Sequence, residues 1–256
     1  MSTGMFQGEA ALVTGAGNGI GRAMALALAR EGARLLLAEV DAARGEEALS
    51  AVRAAGGTAE LVLSDLSVRG AAESLVAEAI GRLGRVAMLV HSASPTRHEK
   101  DTLMEVSDAT WDAMHEVNLR SGFVLGRSLA RHMIDAKIRG RMLYLSSLHS
   151  GTPRNLPHYA TAKAGMLMLV KELAKALGAH GIRVNAISPG AVAAGGFKPA
   201  AGMAECIPLG RLGTADDIAS MGAALLSDKH AGYVTGADIV VDGGISLHNW
   251  FAPAVP

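Results

Sequence analysis

The sequence predicts an α/β fold: a doubly wound, Rossmann-like α/β/α sandwich of three layers around a seven-stranded parallel sheet. Three observations carry that expectation. Short runs rich in Val, Leu and Ile alternate with longer Ala-rich or amphipathic stretches. The short runs are apolar throughout rather than alternating, as strands covered on both faces are. Strand, helix and strand recur within about 25 to 30 residues, the size of a βαβ unit. With 256 residues, 50 % of them apolar, the chain can bury one large core, and nothing in it reads as a linker. A single domain over 1-256 is expected, with a short polar lead at 1-8 and a tail at 245-256.

In chain order, the strands are expected at Ala10-Val13, Arg34-Glu39, Ala59-Leu63, Val86-Val90, Met142-Leu145, Arg183-Ile187 and Ile239-Val241. The first is followed by a glycine-rich loop and a helix opening near Ile20. The helices between later strands include long ones near 108-136 and 158-178. Glycines at 32, 56, 84, 140 and 181 precede five of the strands, where a helix would end in a left-handed cap. In such sheets ligands bind at the carboxyl ends of the strands, where strand order reverses. Every chemically suggestive motif falls at such an end or on the helix that follows.

Composition narrows the function classes. Twenty-four basic and twenty-four acidic residues are interspersed, without the basic stripe of a nucleic-acid surface. The lone Cys206 forms no intrachain disulfide and builds no thiolate site, and the polar start lacks the apolar core of a signal peptide, so the chain reads as cytoplasmic. No apolar run has the ~18 to 20 residues of a membrane span. The nine histidines show no i, i+4 pairing around a glutamate, and no metal is expected.

The loop Thr14-Gly15-Ala16-Gly17-Asn18-Gly19-Ile20-Gly21 links a strand to a helix start, where free N–H groups and the helix dipole favour phosphate. A tight turn alone is the plain alternative. Glu39 ends the second strand, where an acidic side chain accepts hydrogen bonds from both adenine-ribose hydroxyls and repels a 2′-phosphate. NAD is therefore expected over NADP, although Arg44 lies near enough in sequence to recruit that phosphate. Tyr159 and Lys163, four apart at a helix start, place a phenol and an ammonium on one face. An adjacent cation favours the phenolate, which suits proton exchange. By itself that spacing also fits a packed ring beside a solvated lysine.

Taken together, Thr14-Gly15-x-x-x-Gly19-x-Gly21, Asp65-Leu66, Asn118 in Val-Asn-Leu, Ser146-Ser147, Tyr159-x-x-x-Lys163, Arg183-Val-Asn-Ala-Ile-Ser-Pro-Gly190 and Val241-Asp-Gly-Gly244 resemble the short-chain dehydrogenase/reductase family over roughly residues 9 to 244. The resemblance implies that Tyr159 is a general acid/base and that Lys163 acidifies it and holds the nicotinamide ribose. It implies that Ser147 positions the substrate oxygen and Asn118 organises a proton-relay water. It places the dinucleotide on Gly15, Asn18, Gly19, Ile20, Gly21, Glu39, Asp65, Leu66, Ser92, Ala93, Tyr159, Lys163, Pro189, Gly190 and Val192, with Ile187 as a further pocket candidate. Ser147 follows from aligning the strand end; counting thirteen residues back from the tyrosine gives Ser146 instead. His149, Asn155 and Phe197 are the substrate candidates, with Arg154 and His158 on the same loop. The activity implied is NAD-dependent interconversion of a secondary alcohol and a ketone by a homotetramer packed through its long helices. An NADPH-dependent 3-oxoacyl-thioester reductase and a non-catalytic dinucleotide sensor are the alternatives.

The chain departs from the family pattern in two places. His91-Ser92-Ala93-Ser94 stands where Asn-Asn-Ala-Gly is usual, and His91 reads as a structural polar group. Ala194 replaces the usual threonine after Pro189-Gly190. The segment at about 191-213, which the resemblance implies is a substrate lid, looks short, which favours a small polar or flat substrate, or an open cleft, over a long acyl chain. Trp250 and Phe251 in the tail are expected to dock on a neighbouring subunit or on their own core.

Overall fold

In the computed structural model, residues 4–247 are described; Trp250 and Phe251 lie outside them. Seven strands, β1 (Ala10–Thr14), β2 (Arg34–Glu39), β3 (Thr58–Leu63), β4 (Val86–His91), β5 (Arg141–Leu145), β6 (Arg183–Pro189) and β7 (Asp238–Val241), form one sheet in the order 3-2-1-4-5-6-7. Every neighbouring pair is parallel. Strand order reverses between β1 and β4, so the crevice lies at their carboxyl ends.

The strands are mostly apolar because helices cover both faces. Ala10 and Leu12 of β1 point to a core shared with α3 (Ala71–Leu83), α5 (Ser121–Asp135) and α6 (Pro157–Leu177). Ala11 and Val13 point to a second core shared with α1 (Gly19–Arg30), α2 (Ala42–Ala54) and α7 (Ala215–Leu226). Local signals set the helix starts. Asp41 caps α2, accepting the Arg44 N–H at 3.1 Å, and Pro157 occupies the first turn of α6. Thr214 and Asp217 form a reciprocal capping box on α7. The short α8 (Asp228–Ala231) supplies Asp228, which pairs with Arg183 at 3.0 Å and ties β6 to the chain beyond α7.

Two local expectations differ from the structure. Gly32, Gly56, Gly84 and Gly181 adopt left-handed φ values, but Gly140 does not. After α5 the left-handed residue is Lys137, at φ 51°, and Gly140 is instead required by packing, since a Cβ there would strike the Met133 sulfur. The long helix expected near 108-136 is broken: α4 (Asp108–His115) passes through a π-helical turn, Glu116–Arg120, into α5. A π turn adds a residue to the helical ladder and commonly marks a functional site. This one carries Asn118.

Candidate active site

At the nucleotide end, the glycine loop is shaped by close approach. Gly15 has φ 64°, and a Cβ on it would lie 2.8 Å from the Ala93 Cα. A Cβ on Gly21 would strike the Gly15 carbonyl oxygen. Asn18 caps α1 by accepting the Gly19 N–H at 2.7 Å, and the half-buried Ile20 packs on the second core. Gly15, Glu39, Asp65, Leu66, Ala93 and Val117 line one cleft of about 260 Å³. The Glu39 carboxylate is held there by three backbone N–H groups, from Gly17 (2.9 Å), Val40 (2.9 Å) and Asp41 (3.3 Å). Asp65 accepts both the N–H and the hydroxyl of Ser67, at 2.9 and 2.6 Å, while Leu66 turns inward. These residues fit a dinucleotide: a glycine-rich cradle at a helix N-terminus suits the pyrophosphate, and a fixed carboxylate stands at one end of the cleft.

The segment that follows β6 crosses this loop at Gly195. Gly19 has φ 52°, and a Cβ on it would lie 3.2 Å from the Gly195 nitrogen. Gly190 is pinned to β7 through the Val241 carbonyl at 3.0 Å, following Pro189, and the buried Val192 bridges to Gly213. Ile187 lies in the second core rather than at the cleft.

Behind the cleft runs a polar relay that the sequence did not specify. Thr14, His91 and Tyr144 sit in register on β1, β4 and β5. His91 is buried with its Nε2 3.1 Å from the Asn118 carbonyl and its Nδ1 3.0 Å from the Thr14 hydroxyl. A carbonyl only accepts, so Nε2 carries the proton and the Thr14 hydroxyl donates to Nδ1. Thr14 Oγ1 in turn accepts the Ser92 and Ala93 N–H groups, each at 3.3 Å. His91 thus joins the glycine-loop strand to the π turn where the family has asparagine. The neighbouring Tyr144 donates to the Gly122 carbonyl at 2.9 Å.

Burial first, then the Lys163 charge, pushes His91 down from 6.5 to about 4. The unfolded chain therefore takes up this proton more readily than the native one, so the contribution is complete above pH 6.5 and lost as pH falls toward 4. The expected loss is about 3 kcal/mol. Urea unfolding of the native protein and of His91→Asn should show a smaller decline between those pH values in the variant; equal declines would refute the assignment.

Asn118 is buried and donates from Nδ2 to the Met114 carbonyl at 2.9 Å. Its Oδ1 has no partner among the described residues. An unsatisfied buried oxygen costs ~1 to 3 kcal/mol, so the geometry leaves an acceptor ready for a donor such as water.

At the chemical end, α6 presents Tyr159 and Lys163 one turn apart. The Lys163 ammonium is 5.6 Å from the Tyr159 ring centroid and donates to the Leu145 carbonyl at 2.7 Å. Burial, helped by the Arg97 charge, pushes Lys163 down to about 7. The sequence reading takes this lysine as a full charge; the fold makes that charge conditional. Ser146 spends its hydroxyl proton on the Lys163 carbonyl at 3.2 Å. Ser147 accepts the His149 N–H at 3.2 Å, which leaves its own proton uncommitted.

Around the half-buried Tyr159, the His149 ring lies edge-on at 6.4 Å. His149 Nδ1 donates to the Thr152 carbonyl at 3.1 Å, and burial pushes its pKa down. Asn155, at φ 55°, takes the Leu103 N–H on its side-chain oxygen at 3.3 Å and so ties two loops together. Phe197 is half-buried on the segment that follows β6, its N–H bonded to the Ala194 carbonyl at 3.1 Å. Among the described residues, no ring contact joins it to Tyr159. The sequence reading missed Arg97, whose guanidinium carbon lies over the Tyr159 ring, 5.0 Å from its centroid. No motif marks it. Its only sequence signal is an arginine shortly after the carboxyl end of β4. His158 is buried with neither ring nitrogen partnered among the described residues, and burial pushes its pKa down.

No group of three or more His, Cys, Asp or Glu side chains able to hold a metal occurs among the described residues. No described helix is long and apolar enough to cross a membrane.

A family model described as enoyl-(acyl carrier protein) reductase matches residues 15–246. The short-chain reductase protein NovJ of Streptomyces niveus is 34 % identical over 93 % of this chain and 94 % of its own. The 3-oxoacyl-[acyl-carrier-protein] reductase FabG of Escherichia coli K12 is 35 % identical over 94 % of this chain and 99 % of its own. A solved short-chain dehydrogenase/reductase from Serratia marcescens superposes with a TM-score of 0.86 at 33 % identity, covering 94 % of this chain and 99 % of that one.

Proposed function

Because the chain belongs to the short-chain dehydrogenase/reductase family and is an oxidoreductase of that kind, we propose that it interconverts a secondary alcohol and a ketone with NAD, using Tyr159 as general acid/base. One observation carries the reading: the Tyr159 ring lies beside the Lys163 ammonium at 5.6 Å, near the carboxyl end of β5 and the free hydroxyl of Ser147. The dinucleotide, when bound, supplies or accepts the hydride. Ser147 donates to the substrate oxygen as negative charge develops there, Tyr159 exchanges the proton, and Lys163 supports the phenolate. The unpartnered Oδ1 of buried Asn118 supports a water held for proton return.

Support for NAD comes from Glu39, whose carboxylate is fixed at the cleft by backbone donors and would repel a 2′-phosphate. Glu39→Ala is expected to lower kcat/KM with NAD by about tenfold and to narrow its lead over NADP. Steady-state kinetics with both cofactors checks this, and an unchanged preference would refute the role. The second reading, an NADPH-dependent 3-oxoacyl-thioester reductase, is favoured by what the FabG relative's name says it acts on. A panel of ketones, secondary alcohols and 3-oxoacyl thioesters, followed at the nicotinamide absorbance with each cofactor, separates the two. Turnover of none of them would sink both. Phe123 on α5 and Met168 on α6 are exposed, which supports a homotetramer packed through these helices. Light scattering showing a monomer would overturn the assembly.

A further inference from the structure

Arg97 and Arg154 approach the mouth of the site from two different loops, one after β4 and one between β5 and α6. Both contact the same carboxylate. Arg97 Nη2 lies 3.2 Å from Glu99 Oε1, and Arg154 Nη2 lies 3.2 Å from Glu99 Oε2. The side chains differ in exposure: Arg97 is 21 % exposed, Arg154 40 % and Glu99 54 %. The more enclosed partner is thus the cation stacked on the Tyr159 ring, while the carboxylate that answers it faces solvent. A guanidinium presents a planar fork that fits a carboxylate in bidentate fashion. Exposed ion pairs such as the two on Glu99 contribute little and exchange readily.

The position over the phenol also brings two cations, Arg97 and Lys163, to one aromatic ring. Arg97's charge reaches Lys163, His149 and His158 and pushes all three toward their neutral forms. A cation placed there costs the site something, and an anion on the substrate would relieve that cost.

We propose that Arg97 is a specificity-determining residue that pairs with a carboxylate borne by the substrate a short carbon chain from its reacting carbon, and that Glu99 holds the guanidinium until the substrate displaces it. The preferred substrates are then short hydroxy acids or oxo acids. This rests on the reading of Tyr159 as the acid/base, and the test separates the two.

In the full chain with cofactor, 3-oxobutanoate and 4-oxopentanoate are compared with their methyl esters. At least one acid should exceed its ester in kcat/KM by about tenfold or more. Arg97→Gln should lower the acid's kcat/KM at least tenfold more than the ester's, chiefly through KM. Arg97→Lys should retain part of the preference, and Glu99→Gln should raise the acid's kcat/KM. Equal rates on acid and ester, or an equal fall on both in Arg97→Gln, would overturn the inference while leaving the ketone reduction standing. Calorimetry with 3-hydroxy-3-methylbutanoate, a tertiary alcohol that cannot be oxidised, and its amide gives a readout that needs no turnover. Binding of the acid but not the amide, lost in Arg97→Gln, supports the inference even if no ketone is reduced; no preference for the acid overturns it.

Discussion

Tyr159→Phe is expected to lower kcat by about 10² to 10⁴-fold, the contribution of a positioned general acid/base, equivalent to ~3 to 5 kcal/mol of transition-state stabilisation. The variant removes one oxygen and keeps the ring on which Arg97 stacks and against which His149 packs edge-on. Little in the fold depends on that oxygen, because no hydrogen bond from it is made to the rest of the described chain. Thermal unfolding should therefore move little, and titration of the dinucleotide should give a similar Kd. Loss of rate with binding intact identifies a group that acts in the transition state. Turnover at the parent rate in the variant would remove Tyr159 from the chemistry and, with it, the proposed mechanism.

How much was legible beforehand differs between backbone and side chains, for physical reasons. Strand positions came through because a strand covered on both faces is apolar over most of its length; Arg34–Glu39 has the expected bounds, and β4 and β6 run one and two residues further, into His91 and Pro189. The extension at β4 is informative: a histidine breaks the apolar run, yet it stays in the sheet because both ring nitrogens find partners. Partners distant in sequence, Thr14 and the Asn118 carbonyl, are invisible to a local pattern. The same holds for the π turn, which leaves no compositional mark, and for Lys137 taking the left-handed position that glycine was expected to fill. Arg97 was missed because only the fold brings its loop over the Tyr159 ring. The downward push on the Lys163 pKa was not legible for a related cause. Helical spacing tells that the lysine neighbours Tyr159, but burial, which sets its protonation, comes from the surrounding layers.

The adjacent serines provide the second large effect. Ser147→Ala is expected to cost about 10² to 10³ in kcat, as loss of one donor aimed at a developing oxyanion does, while Ser146→Ala should keep kcat within about tenfold and cost about 1 kcal/mol of stability. The two hydroxyls are both buried at the end of β5 but are committed differently. Ser146 already donates to the Lys163 carbonyl, anchoring α6 at the lysine itself, and a proton used there is not free for substrate. Ser147 caps the short helical turn Leu148–Ser150 as an acceptor, so its proton remains to be given and its direction is set by the His149 N–H. A cap and a donor can thus be one side chain without conflict. Steady-state kinetics and thermal unfolding on both alanine variants decide between them: inactivity in Ser146→Ala with near-parent turnover in Ser147→Ala would transfer the role to the serine thirteen residues before Tyr159 and would require the Ser146 hydroxyl to leave the Lys163 carbonyl during the reaction.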